Sequence, residues 1–150
     1  MRRAGRPRKK SSFEPLTLSN LPRALPLLEA QYREHDIPIK GARLRRALTG
    51  LIRGKRGAGV LAPHGIAVLS FTWTVEQGGE VAWLDELYVA PAQRGQGLGR
   101  KLLRAAFRLA AAHGCVSMEL EVVEGHERAA RLYLREGFQN RRRTRYTRPL

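Results

Sequence analysis

Leu84-Asp85-Glu86-Leu87-Tyr88-Val89-Ala90-Pro91, followed at once by Arg94-Gly95-Gln96-Gly97-Leu98-Gly99, is the stretch that decides how this chain of 150 residues is read. The first six residues read as a strand, and a helix is expected from Arg100. Three alternating glycines let the intervening backbone curl tightly and approach a ligand without a side chain in the way. The amides of such a curl and of the first helical turn point outward at an anion. Arg94 adds a bidentate partner for a phosphate. The spacing is G-x-G-x-G, so it departs from the G-x-G-x-x-G dinucleotide fingerprint. Gly99 is followed by Arg100-Lys101, so the Gly-Lys-Ser/Thr ending of a Walker loop is missing too. What remains is R-x-x-G-x-G, carried by Arg94, Gly97 and Gly99.

Composition narrows the class. The length suits one domain with a proper core, expected over 13–150 behind a disordered basic arm, 1–12. No stretch is long and apolar enough for a membrane span. The basic start lacks the apolar segment of a secretory signal. A single cysteine, Cys115, excludes an internal disulfide, and no Cys/His cluster has metal spacing, so no metal is expected. These features lead to the expectation of a cytoplasmic protein. The formal net charge of +15 invites a nucleic-acid reading, but its distribution weakens it. Six cations fall between Arg2 and Lys10 and five between Arg141 and Arg148, with no acid in either stretch, which leaves +4 for the remainder.

Periodicity sets the expected order of elements. Phe13–Leu18 reads as a short strand. Asn20 is placed to cap a helix with Pro22 in its first turn and Leu21, Leu25, Leu28 and Tyr32 on one face. A second helix is expected over Ala42–Ile52, with Leu44, Leu48, Leu51 and Ile52 inward. Val60-Leu61 is a short strand, and Ile66–Val75 a longer one with Leu69, Phe71, Trp73 and Val75 on one face. Gly78-Gly79 turns the chain into Val81–Val89. A helix over Arg100–Ala112, stopped by Gly114, precedes a strand at Val116–Val123, a helix at Glu127–Glu136 and a final strand pair from Phe138. The order β-α-α-β-β-β-α-β-α-β describes an α/β protein. Its mixed, mostly antiparallel sheet is flanked by about four helices.

A second motif, Ala129, Leu132-Tyr133 and Gly137-Phe138, resembles N-x-x-A-x-x-L-Y-x-x-x-G-F. Together with the Arg94 loop, in this order and spacing, it resembles the GNAT (GCN5-related) N-acetyltransferase superfamily over about Phe13 to Leu150. The asparagine that opens the second motif is replaced by His126, whose imidazole still donates or accepts a hydrogen bond.

The resemblance implies an acetyl-CoA site, with acetyl-CoA as co-substrate. Its backbone contacts fall on Leu87, Tyr88 and Val89, and its phosphates on Arg94, Gly95, Gln96, Gly97, Leu98, Gly99 and Arg100. His126 stands where the pantetheine arm would be met. Arg100, Lys101 and Arg104 lie within reach of the ribose phosphate, although a solvated helix face suits Arg104 and Arg108 better. The resemblance further implies direct transfer of acetyl to a primary amine. Such an amine is protonated near neutral pH and must lose a proton before it attacks. Asp85 and Glu86 are the candidate bases. Adjacent strand residues point to opposite faces, so they do not share one role, and the sequence does not choose between them. Tyr133 matches the family tyrosine that protonates the leaving thiolate or at least hydrogen-bonds its sulfur.

Glu29, Glu34, Asp36, Glu76, Glu80, Asp85 and Glu86 are seven of the thirteen acids and fall in the regions flanking the acceptor. They suit a cationic amine: a polyamine, an aminoglycoside-like amine or a protein amine. Tyr32, His35, Trp73 and Trp83 are further candidates for that pocket, with core packing the better expectation for the tryptophans. A homodimer is compatible with this reading.

A competing hypothesis rests on the arm. Ala4-Gly5-Arg6-Pro7-Arg8-Lys9-Lys10 resembles an AT-hook, whose thin Gly-Arg-Pro core enters an A·T minor groove. It would make the chain a nucleic-acid-associated protein on the same scaffold, contacting nucleic acid through residues 2–10. A solubilising tail is the plainer account of so short a segment.

Overall fold

The computed structural model of the chain describes residues 13–150, so the basic arm and its AT-hook-like segment lie outside the described residues. The chain divides after Leu120 into two compact units. The first holds a five-stranded sheet in the order β1 (Glu14–Pro15), β2 (Gly57–Ala62), β3 (Gly65–Thr74), β4 (Gly79–Val89) and β5 (Ser117–Glu119). The first four strands pair antiparallel and β5 pairs parallel to β4. The helices of this unit are α1 (Leu21–Glu34), α2 (Gly41–Arg53) and α3 (Leu98–His113). The second unit carries α4 (Glu127–Arg135).

Two helices cover one face of the sheet and one covers the other. Leu21, Leu25 and Leu28 of α1 and Leu44 and Leu48 of α2 pack on Leu61, Ile66, Val68 and Tyr88. Glycine makes that packing close. A Cβ on Gly57 would lie 2.7 Å from Leu51 Cγ, and one on Gly59 would lie 2.8 Å from Leu16 Cδ2. This is why β2 extends to Gly57, well before the Val60-Leu61 pair that its apolar pattern marks. Gly65 faces the other way, where a Cβ would stand 2.7 Å from Leu102 Cδ1 of α3. Leu102, Leu103 and Ala106 of that helix are fully buried. The outer surface of α2 is cationic, with Arg43, Arg45, Arg46 and Arg53 all exposed.

Several expectations are corrected. Asn20 makes no cap bond to α1. Its amide instead donates to Pro15 O (2.9 Å) while its Oδ1 accepts from Thr17 N–H (2.8 Å), tying β1 to the turn that follows. Trp73 is not a core residue but 76% exposed, and Val75 is fully exposed. The physical reason is the length of α3. Its last residue, His113, stacks on Phe71 with ring centroids 3.7 Å apart, so β3 runs out past the cover beyond that point. The strand at Val116–Val123 shrinks to Ser117–Glu119. The final strand pair is absent: no helix or strand is assigned beyond α4. From Arg141 to Leu150 every residue is exposed. Five arginines with only Tyr146 and Leu150 as large apolar residues supply no alternating face to bury.

Glycine stops both later helices. Gly114 (φ 92°) follows α3, with Cys115 N–H donating to Ala110 O; Gly137 (φ 94°) follows α4, with Phe138 N–H donating to Tyr133 O. Both are Schellman ends, which need a left-handed residue. The Gly137-Phe138 pair of the second motif is therefore a helix stop.

Candidate active site

The site is built on β4, and a bulge gives β4 its character. Val68 pairs with Glu86 while Leu69 pairs with Leu84, so Asp85 is the extra residue. A bulge bends its strand and breaks simple alternation. Ala82 and Leu84 face α3, being opposite Phe71 and Leu69, and after the bulge Leu87 and Val89 face it too, being opposite Ala67 and Gly65. Glu86 and Tyr88 turn toward α1. Asp85 is exposed, whereas Glu86 is half-buried.

β5 pairs with β4 only at Val81–Trp83, so from the bulge onward β4 pairs with β3 alone and its β5-side edge is open. Ala90 N–H donates to His64 O (2.8 Å). The alternation of an antiparallel ladder then turns the backbone groups of Leu87 and Val89 away from β3, to this open edge. Val89 O accepts there from Arg94 Nε (2.9 Å).

The α1 side of β4 carries two reciprocal contacts. The Tyr32 hydroxyl of α1 donates to Glu86 of β4, and the Tyr88 hydroxyl of β4 donates to Glu34 of α1 (2.9 Å). Burial pushes the Glu86 carboxyl up to about 7; the hydrogen bond from Tyr32 opposes the rise, the Asp85 charge adds to it, and a hydrogen bond from Gln31 opposes it. Burial and Glu86 together hold the Tyr32 phenol well above its ordinary value. Burial alone would raise the Glu34 carboxyl, but hydrogen bonds from Arg94 and Tyr88 outweigh it and hold the group below the usual carboxylate range. Burial and then Glu34 raise the Tyr88 phenol.

Arg94 is fixed at the mouth of the glycine loop. One Nη donates to Glu34 (2.7 Å), and the guanidinium carbon lies 5.5 Å from the centre of the Tyr88 ring. Gly95 and Gly97 both have positive φ, at 78° and 81°. A Cβ on Gly97 would meet nothing within 4 Å, so its outer side is open. The first bond of α3 runs from Lys101 N–H to Gly97 O (3.1 Å), which leaves the amides of Leu98 and Gly99 ahead of the helical ladder. A glycine curl, a helix N-terminus and an arginine thus converge, and this donor set fits a phosphorylated cofactor. Gln96 is turned back, with its amide on Ala92 O (3.2 Å). A cavity of about 260 Å³ lies on the other flank of the loop, against Pro63 and His64. Of the predicted residues it takes Gln96, Leu98 and Lys101.

In the second unit, Tyr133 is half-buried and meets Phe138 edge-on, with centroids 5.6 Å apart. His126 occupies the N-cap of α4, where its carbonyl accepts from Ala130 N–H (3.1 Å). Cys115 is half-buried, and burial followed by Glu80 raises its thiol, which keeps it protonated. Among the described residues no group of His, Cys, Asp or Glu could hold a metal ion, and no helix is long and apolar enough to cross a membrane.

Sequence reasoning missed two residues. Glu34 was one of seven scattered acids, and Gln31 was not singled out. Gln31 is buried beside Glu86, and its Oε1 has no hydrogen-bond partner among the described residues. A signal for Glu34 does exist: Glu86 and Tyr88 are two apart on a strand and share a face, so a helix end laid across them must supply partners for both.

Comparison with known proteins agrees with this geometry. The model of the Acetyltransferase (GNAT) family matches residues 23–138. A thialysine N-epsilon-acetyltransferase of Mus musculus is 35% identical over 69 residues, which cover 46% of this chain and 38% of that protein. A spermine/spermidine N(1)-acetyltransferase of Bacillus subtilis is 40% identical over 58 residues, 38% of each chain. These matches therefore span well under half of the curated relatives. A structure from Arthrobacter sp. FB24, assigned as an acetyltransferase, superposes with a TM-score of 0.78 at 32% identity, covering 95% of this chain and 97% of that one. The aminoglycoside N-acetyltransferase AAC(6')-Iy in complex with CoA shares the fold, with a TM-score of 0.79 at 16% identity over 91% of this chain and 93% of its own. Fold, loop and family match converge, and the chain belongs to the GNAT acetyltransferase family.

Proposed function

We propose that this protein is an acetyl-CoA-dependent N-acetyltransferase in which Glu86 is the general base. The single observation that carries this is a half-buried carboxylate, its pKa pushed up to about 7, on the strand that leads directly into the glycine loop. A base works best when its pKa lies near the working pH. Asp85, by contrast, is exposed on the bulge. Tyr32 orients the Glu86 carboxylate by its hydrogen bond.

In the proposed step the acceptor ammonium gives a proton to Glu86, directly or through one water. The amine lone pair then attacks the thioester carbonyl carbon. The outward amides of Leu87 and Val89 are suited to hold the oxyanion that develops. The carbon–sulfur bond breaks, the nitrogen sheds its second proton to solvent, and Tyr133 protonates the thiolate and is itself reprotonated from solvent. Arg94, Gly95, Gly97, Leu98 and Gly99 hold the phosphates, with Arg100 beside them. The acceptor is a cationic amine. Glu34, Asp85 and Glu86 concentrate negative charge at the α1–β4 edge, and the relatives named above are enzymes of thialysine, polyamines and aminoglycosides.

The test is thiol release from acetyl-CoA over a panel of lysine analogues, polyamines, aminoglycosides and peptides, followed against pH. Glu86 must be ionised to accept a proton, so kcat/KM should rise with unit slope toward pH 7 and level off above it. Glu86→Gln should flatten that limb and lower kcat/KM by about 10²- to 10⁴-fold. In the same assay Tyr133→Phe should lower kcat with CoA affinity retained. A full-rate Glu86→Gln enzyme with the wild-type pH limb would remove Glu86 from the chemistry, and an unchanged kcat would remove Tyr133.

A further inference from the structure

Arg94 is held before any phosphate reaches it. A guanidinium has five N–H donors in one plane. In Arg94 one is placed on Val89 O at 2.9 Å and another on Glu34 Oε2 at 2.7 Å, while the Tyr88 ring lies 5.5 Å from its carbon. The other oxygen of Glu34 is itself fixed, at 2.9 Å, by the Tyr88 hydroxyl. Tyr88 is 5% exposed and cannot swing. A buried ring therefore anchors a carboxylate, and the carboxylate and the ring between them set the plane of the guanidinium. Donors of the guanidinium remain for an anion.

We infer that Glu34, at the C-terminal end of α1, is the positioning residue for the cofactor loop, holding Arg94 in the orientation that receives a phosphate. This rests on the acetyl-CoA reading above and adds a residue that lies 60 positions from Arg94 in sequence. An arginine left to itself must lose side-chain rotamer freedom when it binds. One already clamped by a carboxylate and an aromatic face has lost that freedom in advance. The same carboxylate could instead compete with the phosphate for the cation. The two roles have opposite signs, so binding measurements separate them.

The experiment is calorimetric titration of the full chain with CoA, using wild type, Glu34→Gln, Glu34→Asp, Arg94→Gln and the double variant Glu34→Gln/Arg94→Gln. Glu34→Gln should weaken CoA binding about tenfold, or 1.4 kcal/mol. Glu34→Asp, which keeps the charge on a shorter stem, should recover part of the loss. In steady state the larger share of the defect should fall in the KM for acetyl-CoA. The decisive arm is the double variant: a residue acting through Arg94 has no further effect once Arg94 is gone. Unchanged or tighter CoA binding by Glu34→Gln overturns the inference, as does an undiminished Glu34→Gln effect in the Arg94→Gln background. Should Glu34→Gln fail to fold, Glu34→Asp alone decides: wild-type affinity or better refutes the role, and weaker binding that vanishes beside Arg94→Gln supports it. A wild-type chain that binds no CoA is a different failure, that of the acetyl-CoA reading itself.

Discussion

Glu86 shows how one side chain can be both useful and costly. Its carboxyl, normally near pKa 4.3, is pushed up to about 7, chiefly by burial. A folded-state pKa above the unfolded one means that stability is full below about pH 4.3 and is lost as pH rises toward 7. The span corresponds to at most roughly 4 kcal/mol, at about 1.4 kcal/mol per pKa unit. Glu86→Gln carries no charge to bury, so it should match wild type in thermal stability near pH 4 and exceed it at pH 8. Melting curves at the two values check this, and a constant difference between them would mean that Glu86 ionises as an exposed carboxylate does. At this scale the sequence was half legible. Asp85 and Glu86 stand out beside the loop from their position alone. What separates them is burial against α1, where a tyrosine 54 residues away bonds Glu86, and no local pattern announces a contact of that range.

At the scale of elements, β4 and the loop after it act as one piece. The bulge at Asp85 lets Ala82 and Leu84, and then Leu87 and Val89, occupy the same face although they differ in parity. That slip was not read from the sequence, where strict alternation was applied to Asp85 and Glu86, although two polar residues between apolar ones strain such a pattern. The end of the β4–β5 pairing at Trp83 was not visible, because it depends on where β5 stops. Gly97 is the other hinge of the piece. Its φ of 81° is strained for any side chain, and worst for a β-branched one. Gly97→Val should therefore abolish measurable CoA binding by calorimetry, and its loss of folding stability should stay within about 1–3 kcal/mol. Normal CoA affinity in that variant would contradict the assignment of the loop to phosphates. The helices α2 and α3 were readable within two residues at each end, from clean apolar stripes and a glycine stop. β2 was read too short because its outer half is Gly57-Ala58-Gly59, where glycine lets Leu51 and Leu16 approach without giving an apolar pattern to read.

Across the whole molecule, the fold class was readable because the order of helices and strands is unusual and the two motifs punctuate it. The absent final strand pair shows the limit: the stretch after Phe138 is arginine without alternating apolar partners, which gives a strand no face to bury. The same arginine content has a kinetic consequence. Exposed cations cover α2 at Arg43, Arg45, Arg46 and Arg53, and the chain as a whole carries +15. The carboxylates at the α1–β4 edge are few by comparison and act at short range. A polyanionic cofactor approaching from solution is thus drawn in by the whole surface, whereas a cationic amine is repelled until it is within about one Debye length, roughly 10 Å at 0.1 M salt. Added salt should slow the association of CoA and speed that of a polyamine acceptor, a divergence that stopped-flow measurements at low and moderate ionic strength would show. Equal salt slopes for the two would mean that the global charge steers neither. With diverging slopes, ionic strength decides which of the two substrates encounters the protein first.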